Sequence, residues 1–505
     1  MRIYQKKEIF HIISSLQRLN KVLKERTSVL SENDLMQILI ECQDCAVHIG
    51  TKIEEIEGYE TNSVKFLEEY CEEAYQISIN PIPKVIKKRT GRMGRLLSDI
   101  MHDLEMRTDK KIHILFLPYK ASMWTAFDSI WRYSMKDPDA EVKVVPIPYY
   151  EIGEELESPI LKFEGDLFPD ELPTVSYREY SIEREKPDLI FIHNPYDNTN
   201  NLTKIPEQYF SESLKQHTGG LIYSPYFTMC GYTKGRSDFQ YLNKGTINAD
   251  KVIVQSDFVK RIYESYGYPS EKFIAFGSPK IDAVINFNKS NIRIPDEWER
   301  KLKGKKVFLL NTHLSYFPIG AGNVSKYGFD FAQRYHDELL KAVMNREDCG
   351  LIWRPHPLLF TMIESRFPQC RKYVENMKKR IQESENCVID ISGDYRISFF
   401  CSDALITTYS SIINEYIVTG KPVMIFQTKP TEESGKRAPV DMRFCYFKLK
   451  KDGGMSFEDF INMVLRGEDP KYKERMQMLN EKAFANLDGS AGEKIYNYLK
   501  DWIKH

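Results

Sequence analysis

The 505-residue chain has no run of about 18 apolar residues, so no segment reads as a membrane span. Its first residues, MRIYQKKEIFHIISSLQRLNKVL, lack the unbroken apolar core of an export signal. A cytoplasmic chain is therefore expected. Nine cysteines, an odd count, form no disulfide framework, which fits a reducing compartment. Cys42 and Cys45 make one CxxC, without the second pair that a zinc site needs. No carboxylate cluster has metal-ligand spacing, and no metal is expected. Net charge is nearly absent as well: 71 basic residues face 72 acidic ones. That excludes a chain-wide nucleic-acid footprint, so nucleic acid is not an expected partner. Internal repeats and low-complexity tracts are also missing.

What is present is globular. The chain is 42% hydrophobic and 28% charged, and too long for one core. Residues 1–105 show apolar positions at three- and four-residue spacing and predict a helical region. Near its end lies a basic stretch, Lys84 to Arg95, which reads as a solvated helix start or as a contact to anionic lipid or a polyanionic acceptor. From Lys111 the pattern changes. Short apolar runs alternate with helix-like segments, which indicates βα units and parallel sheets. Strands are expected at 111–119, 141–150, 187–195, 219–227, 249–256 and 272–279. A polar link follows, and then strands at 305–312, 349–355, 386–392, 403–408 and 422–427. The class is thus α/β: a helical region (1–105), a first Rossmann-like lobe (106–290) and a second (291–505). In such sheets ligands bind beyond the carboxyl ends of the strands.

Three loops of the second lobe carry polar residues at that place. Thr312-His313 follows one strand. Arg354-Pro355-His356-Pro357 follows the next, with prolines holding the backbone extended so that Arg354 and His356 project to one side. That pair suits a phosphate, with arginine as a forked donor and histidine as a donor or proton shuttle. Thr408-Tyr409-Ser410-Ser411 precedes a helix-like segment, where free N–H groups favour an anion. The same serines are also ordinary helix caps. Glu415, a turn further, has the chemistry to accept from sugar hydroxyls.

The segments WRPHP (353–357) and LITTYSSIINEY (405–416) together resemble the CDP-glycerol glycerophosphotransferase family, the teichoic-acid glycerol- and ribitol-phosphate polymerases. VIVQSDFVKRIYESYGYPSEKFIAFGSPKID (252–282) resembles the family's strand, helix, Gly-Tyr-Pro, strand and Gly-x-Pro-Arg-x-Asp segment. The likeness covers roughly residues 185–430. It implies a GT-B fold, two Rossmann-like lobes facing a cleft. It also implies transfer of glycerol or ribitol phosphate from a CDP-alcohol to an acceptor hydroxyl, with release of CMP and without a cofactor. In that reading Arg354 and His356 meet the donor phosphates, with His356 as a candidate acid and His313 beside them. Thr408, Ser410 and Ser411 hold the diphosphate, Glu415 lies near the ribose, and Gly277, Lys280 and Asp282 stand at the hinge. The expected partners are a nucleotide-activated donor, a lipid-linked or polymeric acceptor and the inner membrane face. Self-association is left open.

Four positions depart from the family pattern. Thr408 and Glu415 each stand for an aspartate, Lys280 for an arginine, and Cys230-Gly231 for the His-Gly that supplies a base. His193 and Asp197, at the end of a neighbouring strand, are the substitute bases. The alternatives are a GT-B glycosyltransferase or UDP-sugar 2-epimerase-like enzyme, and a catalytically impaired nucleotide-binding homologue.

Overall fold

A computed structural model of the chain describes residues 1–26, 29–152, 158–200, 203–229, 238–289, 293–313, 329–356, 359–365, 367–408, 410–427, 438–449 and 454–504. Four helices open it: α1 (Ile3–Arg26), α2 (Glu32–Glu57), α3 (Asn62–Ile79) and α4 (Pro83–Arg107). Helical spacing turns Ile9, Ile13 and Leu16 of α1, and Leu39, Cys42, Ala46 and Ile49 of α2, to one core. The ends are set locally. Ser31 Oγ accepts from Asp34 N at 3.1 Å, Thr61 Oγ1 accepts from Val64 N at 3.3 Å, and Pro83 occupies the first turn of α4. Each helix packs on the next and α1 closes on α4, which with short connections makes an up-and-down bundle. Cys42 is fully buried there, and burial pushes its thiol up to about 11. In the basic stretch, Arg89 pairs with Glu73 at 2.9 Å, and Arg92 with Glu69 and Glu73 at 3.1 and 3.0 Å. Lys84, Lys87, Lys88 and Arg95 are exposed. No helix among the described residues is long and apolar enough to cross a membrane.

The first lobe holds β1 (Ile112–Leu117), β2 (Ala140–Val144), β3 (Tyr149–Glu151), β4 (Ile160–Lys162), β5 (Leu189–Ile192), β6 (Thr203–Lys204), β7 (Gly220–Tyr223), β8 (Lys251–Ile253) and β9 (Phe273–Ile274). Six of these form a parallel sheet, ordered β2-β1-β5-β7-β8-β9, and β4-β3-β6 form a small antiparallel one. The second lobe holds β10 (Lys306–Thr312), β11 (Cys349–Pro355), β12 (Cys387–Ile389), β13 (Ala404–Thr407), β14 (Val423–Gln427) and β15 (Tyr446–Leu449). They pair in parallel as β12-β11-β10-β13-β14-β15, the strand order of a dinucleotide-type sheet. Apolar cores cover both faces of each parallel sheet. That burial explains why the central strands are continuous apolar runs, while the edge strand β2, AEVKV, alternates.

The final helix, Ala491–Lys504, departs from the expected division at residue 291. Its Ile495, Tyr496, Leu499 and Ile503 pack in the first lobe's core with Phe116, Phe127 and Leu189. Lys500 Nζ meets Asp137 at 2.6 Å. The chain thus passes from the first lobe to the second and returns.

Candidate functional site

In the second sheet the crossovers run outward in opposite senses from β10 and β13. The crevice beyond the carboxyl ends of those two strands is the place where a doubly wound sheet takes a ligand. A cleft of about 230 Å³ opens there. Asn311 and His313 reach it from β10, Arg354, Pro355 and His356 from β11, and Ser410, Ser411 and Ile412 from beyond β13. Glu415 and Tyr395 complete the second lobe's wall. Lys280 enters from the helix Pro279–Ile285, which ends the first lobe.

The strand ends are locked to one another. Asn311 Nδ2 donates to the Arg354 carbonyl at 3.0 Å, and Thr407 Oγ1 donates to Asn311 Oδ1 at 3.2 Å. His356 N donates to the Thr312 carbonyl at 2.9 Å, and Trp353 Nε1 donates to Thr312 Oγ1 at 2.8 Å. Arg354 is held from behind. Its guanidinium pairs with Asp390, which is 2% exposed, and donates to the Ser392 carbonyl at 2.9 Å. The His313 and His356 rings stand perpendicular, 5.4 Å apart. Burial, and then the neighbouring His313, bring His356 down to about 4, so it is neutral near pH 7. Lys280 Nζ pairs with Glu415 Oε1 at 3.1 Å.

The helix after β13, Ile412–Tyr416, has five residues and no side-chain cap from Ser411. Its dipole is accordingly small, and what this wall presents to the cleft is hydroxyls and nearby cations rather than the end of a long helix. Thr408 does not line the cleft: it is fully buried, and its Oγ1 has no hydrogen-bond partner among the described residues.

Other expected residues lie elsewhere. Gly277 lies between β9 and the helix Pro279–Ile285, with φ +105° and the Ala485 carbonyl 2.5 Å from where a Cβ would sit. Asp282 is 1% exposed and caps the returning helix, accepting from Ala491 N at 3.2 Å and Gly492 N at 2.7 Å. Burial raises its carboxyl to about 6.

Neither of the two expected bases lines the cleft. His193 is fully buried and stacks on Phe127 at 4.9 Å. Its Nε2 already accepts from Tyr119 N at 3.1 Å. Burial drives it down to about 3, so it stays neutral with its accepting nitrogen occupied. Asp197, 4% exposed, accepts from Ser211 N at 3.1 Å and Ser211 Oγ at 2.7 Å, capping the helix Ser211–Lys215. Cys230, Gly231, Pro357 and Tyr409 lie outside the described residues. Asn311, Tyr395 and Asp390 were not foreseen. Only Asn311 carried a signal, as a polar residue closing an apolar strand.

Residues 227–501 match the model of the CDP-glycerol:poly(glycerophosphate) glycerophosphotransferase family. The chain belongs to that family. Among curated family relatives, a teichoic acid poly(ribitol-phosphate) polymerase of Bacillus spizizenii is 24% identical over 264 residues, 51% of this chain and 38% of that protein. The teichoic acid ribitol-phosphate polymerase TarK of Staphylococcus aureus is 25% identical over 245 residues, 47% of this chain and 42% of that one. The chain thus spans about two fifths of these relatives. In three dimensions it resembles a variant of the wall teichoic acid polymerase TagF, with TM-score 0.50 and 14% identity over 88% of this chain and 98% of that one. It equally resembles a Listeria monocytogenes protein described as a UDP-N-acetylglucosamine 2-epimerase, with TM-score 0.51 and 14% identity over 78% and 97%. Both likenesses identify the fold, GT-B-like with two Rossmann-like lobes and an added helical bundle.

Proposed function

We propose that this family member transfers glycerol phosphate or ribitol phosphate from a CDP-alcohol to an acceptor hydroxyl of a cell-wall polymer. One observation supports this above the rest. The Arg-x-His and Ser-Ser segments, far apart in sequence, meet in one cleft at the sheet's crossover, inside the matched span. In this reading the donor diphosphate lies against Arg354, His356, Ser410 and Ser411. The acceptor oxygen forms a bond to the phosphorus bearing the alcohol, the bond to CMP breaks, and the acceptor's proton is released. Donors already aimed at the leaving phosphate stabilise its growing charge. The same anion favours protonation of His356, which the free protein holds neutral. With Lys280 and Arg354 as cations, no metal is called for, so turnover persists in EDTA.

The test supplies CDP-glycerol and, separately, CDP-ribitol with a polyol-phosphate-primed acceptor and follows CMP. Release by the intact chain that an Arg354→Ala/His356→Ala double variant lacks supports the reading. Equal release by both, or turnover of UDP-sugars alone, overturns it. The acceptor is read as lipid-linked or polymeric, with the exposed Lys84, Lys87 and Lys88 of α4 against anionic headgroups of the inner membrane face. Co-sedimentation with anionic but not neutral vesicles, lost on changing those lysines to glutamate, checks that contact.

A further inference from the structure

Among the described residues lining the cleft, two are cations, and they are held differently. Arg354 is tied to Asp390, a carboxylate that does not line the cleft and that Ser392 and Ser398 also engage. A ligand entering the cleft has no direct way to displace that partner. Lys280 is tied to Glu415, and both lie in the cleft wall with side chains 9% exposed. Here the partner itself faces the incoming ligand. The two residues also come from different bodies: Lys280 from the helix that ends the first lobe, Glu415 from the second. The Tyr395 ring, 5.7 Å from Nζ, offers the ammonium a second surface to rest on as it turns.

We propose that Lys280 and Glu415 are an exchange pair that couples the two halves of the donor. The inference rests on the cleft being the CDP-alcohol site. A diphosphate carries about two negative charges and attracts a lysine more strongly than one carboxylate does. As it enters, Lys280 swings to the phosphate oxygens on its flexible stem. Glu415 is then a mostly buried carboxylate without its cation, a costly state unless donors replace it. The vicinal ribose hydroxyls are two such donors. A phosphate alone strips Glu415 of its cation and leaves it only the Tyr395 hydroxyl, and a nucleoside alone meets a carboxylate already occupied. A molecule carrying both parts satisfies both residues, so the halves bind cooperatively, and reciprocity requires each to tighten the other.

The full chain is titrated calorimetrically with pyrophosphate, cytidine and CDP. In the unaltered protein, saturating pyrophosphate is expected to tighten cytidine binding. Glu415→Gln, close in shape, frees Lys280 and is expected to tighten pyrophosphate on the order of tenfold while weakening CDP. Lys280→Met is expected to weaken pyrophosphate. The double variant, which leaves no unpaired ion and so guards against misfolding, is expected to abolish the effect of pyrophosphate on cytidine. If both single variants weaken pyrophosphate, or if pyrophosphate leaves cytidine binding unchanged in the unaltered protein, the exchange is wrong. Those results leave the transferase reading standing as long as CDP binds and CMP is released. Failure of the unaltered chain to bind CDP sinks both.

Discussion

The Arg354–Asp390 pair permits a sharp separation of stability from chemistry. Arg354 and Asp390 side chains are 8% and 2% exposed, and the aspartate also accepts from Ser392 and Ser398. Asp390→Asn keeps the shape and an acceptor for one of the two serines, which use different carboxylate oxygens, but leaves the guanidinium buried without its counter-charge. Breaking a buried pair in this way costs about 3–5 kcal/mol, whereas replacing both ions with neutral groups of similar size is often nearly neutral. A lobe of about 200 residues loses roughly 2–4 °C per kcal/mol. Asp390→Asn should therefore lower the second lobe's melting by about 10 °C. Arg354→Met/Asp390→Asn should recover most of that loss. Both variants should lose CMP release, because neither presents Arg354 in its native orientation. Scanning calorimetry and the CMP assay read the two effects separately. A double variant that melts as low as the single, or one that regains activity, refutes the account of Arg354 as a cleft donor held from behind.

Four further outcomes follow from the geometry. His193→Gln should retain CMP release with an unchanged pH profile, since the native imidazole is neutral and its accepting nitrogen is taken; a loss beyond tenfold would restore it as a catalytic candidate. Its folded value of about 3 lies below the ordinary histidine value of 6.5, so the unfolded chain takes up the proton first. The stability it contributes is complete above about pH 6.5 and is lost as pH falls toward 3, a window that His193→Phe should flatten in acid titrations. Gly277→Ala should cost more than about 2 kcal/mol in urea unfolding, because φ is +105° and the new Cβ meets the Ala485 carbonyl. Leu499→Ala, at a fully buried site, should cost about 2–5 kcal/mol and show its loss in hydrogen exchange of the first lobe rather than the second.

The lobes were legible because parallel strands covered on both faces must be apolar throughout. Every such run foreseen from composition is a strand. The missed elements lack that pressure: β4 is exposed along its length, β6 has two residues, β15 is an edge strand with only Tyr446 buried, and Pro146 and Pro148 part β2 from β3 in what reads as one run. The cleft was legible where a polar residue interrupts an apolar strand end, as at Arg354 and Ser410. It was illegible where function depends on distant supports. Nothing near Asp390 announces that it holds a guanidinium 36 residues away, and Tyr395 sits in no pattern. Residue type is visible in sequence while burial is not, so nothing near His193 and Asp197 announces how deeply both are buried. Asp282 read as a hinge residue, but its task, capping a helix 209 residues later, is a tertiary fact.

The returning helix Ala491–Lys504 also bears on how the chain is made. Domains generally fold as units as they emerge during synthesis, at about 5–20 residues per second. The first lobe's sheet is complete once β9 has appeared, yet the helix that covers Phe116, Phe127 and Leu189 is translated roughly 230 residues later. At that rate the face lacks its helical cover for some tens of seconds, so the first lobe's sheet forms well before its core is closed.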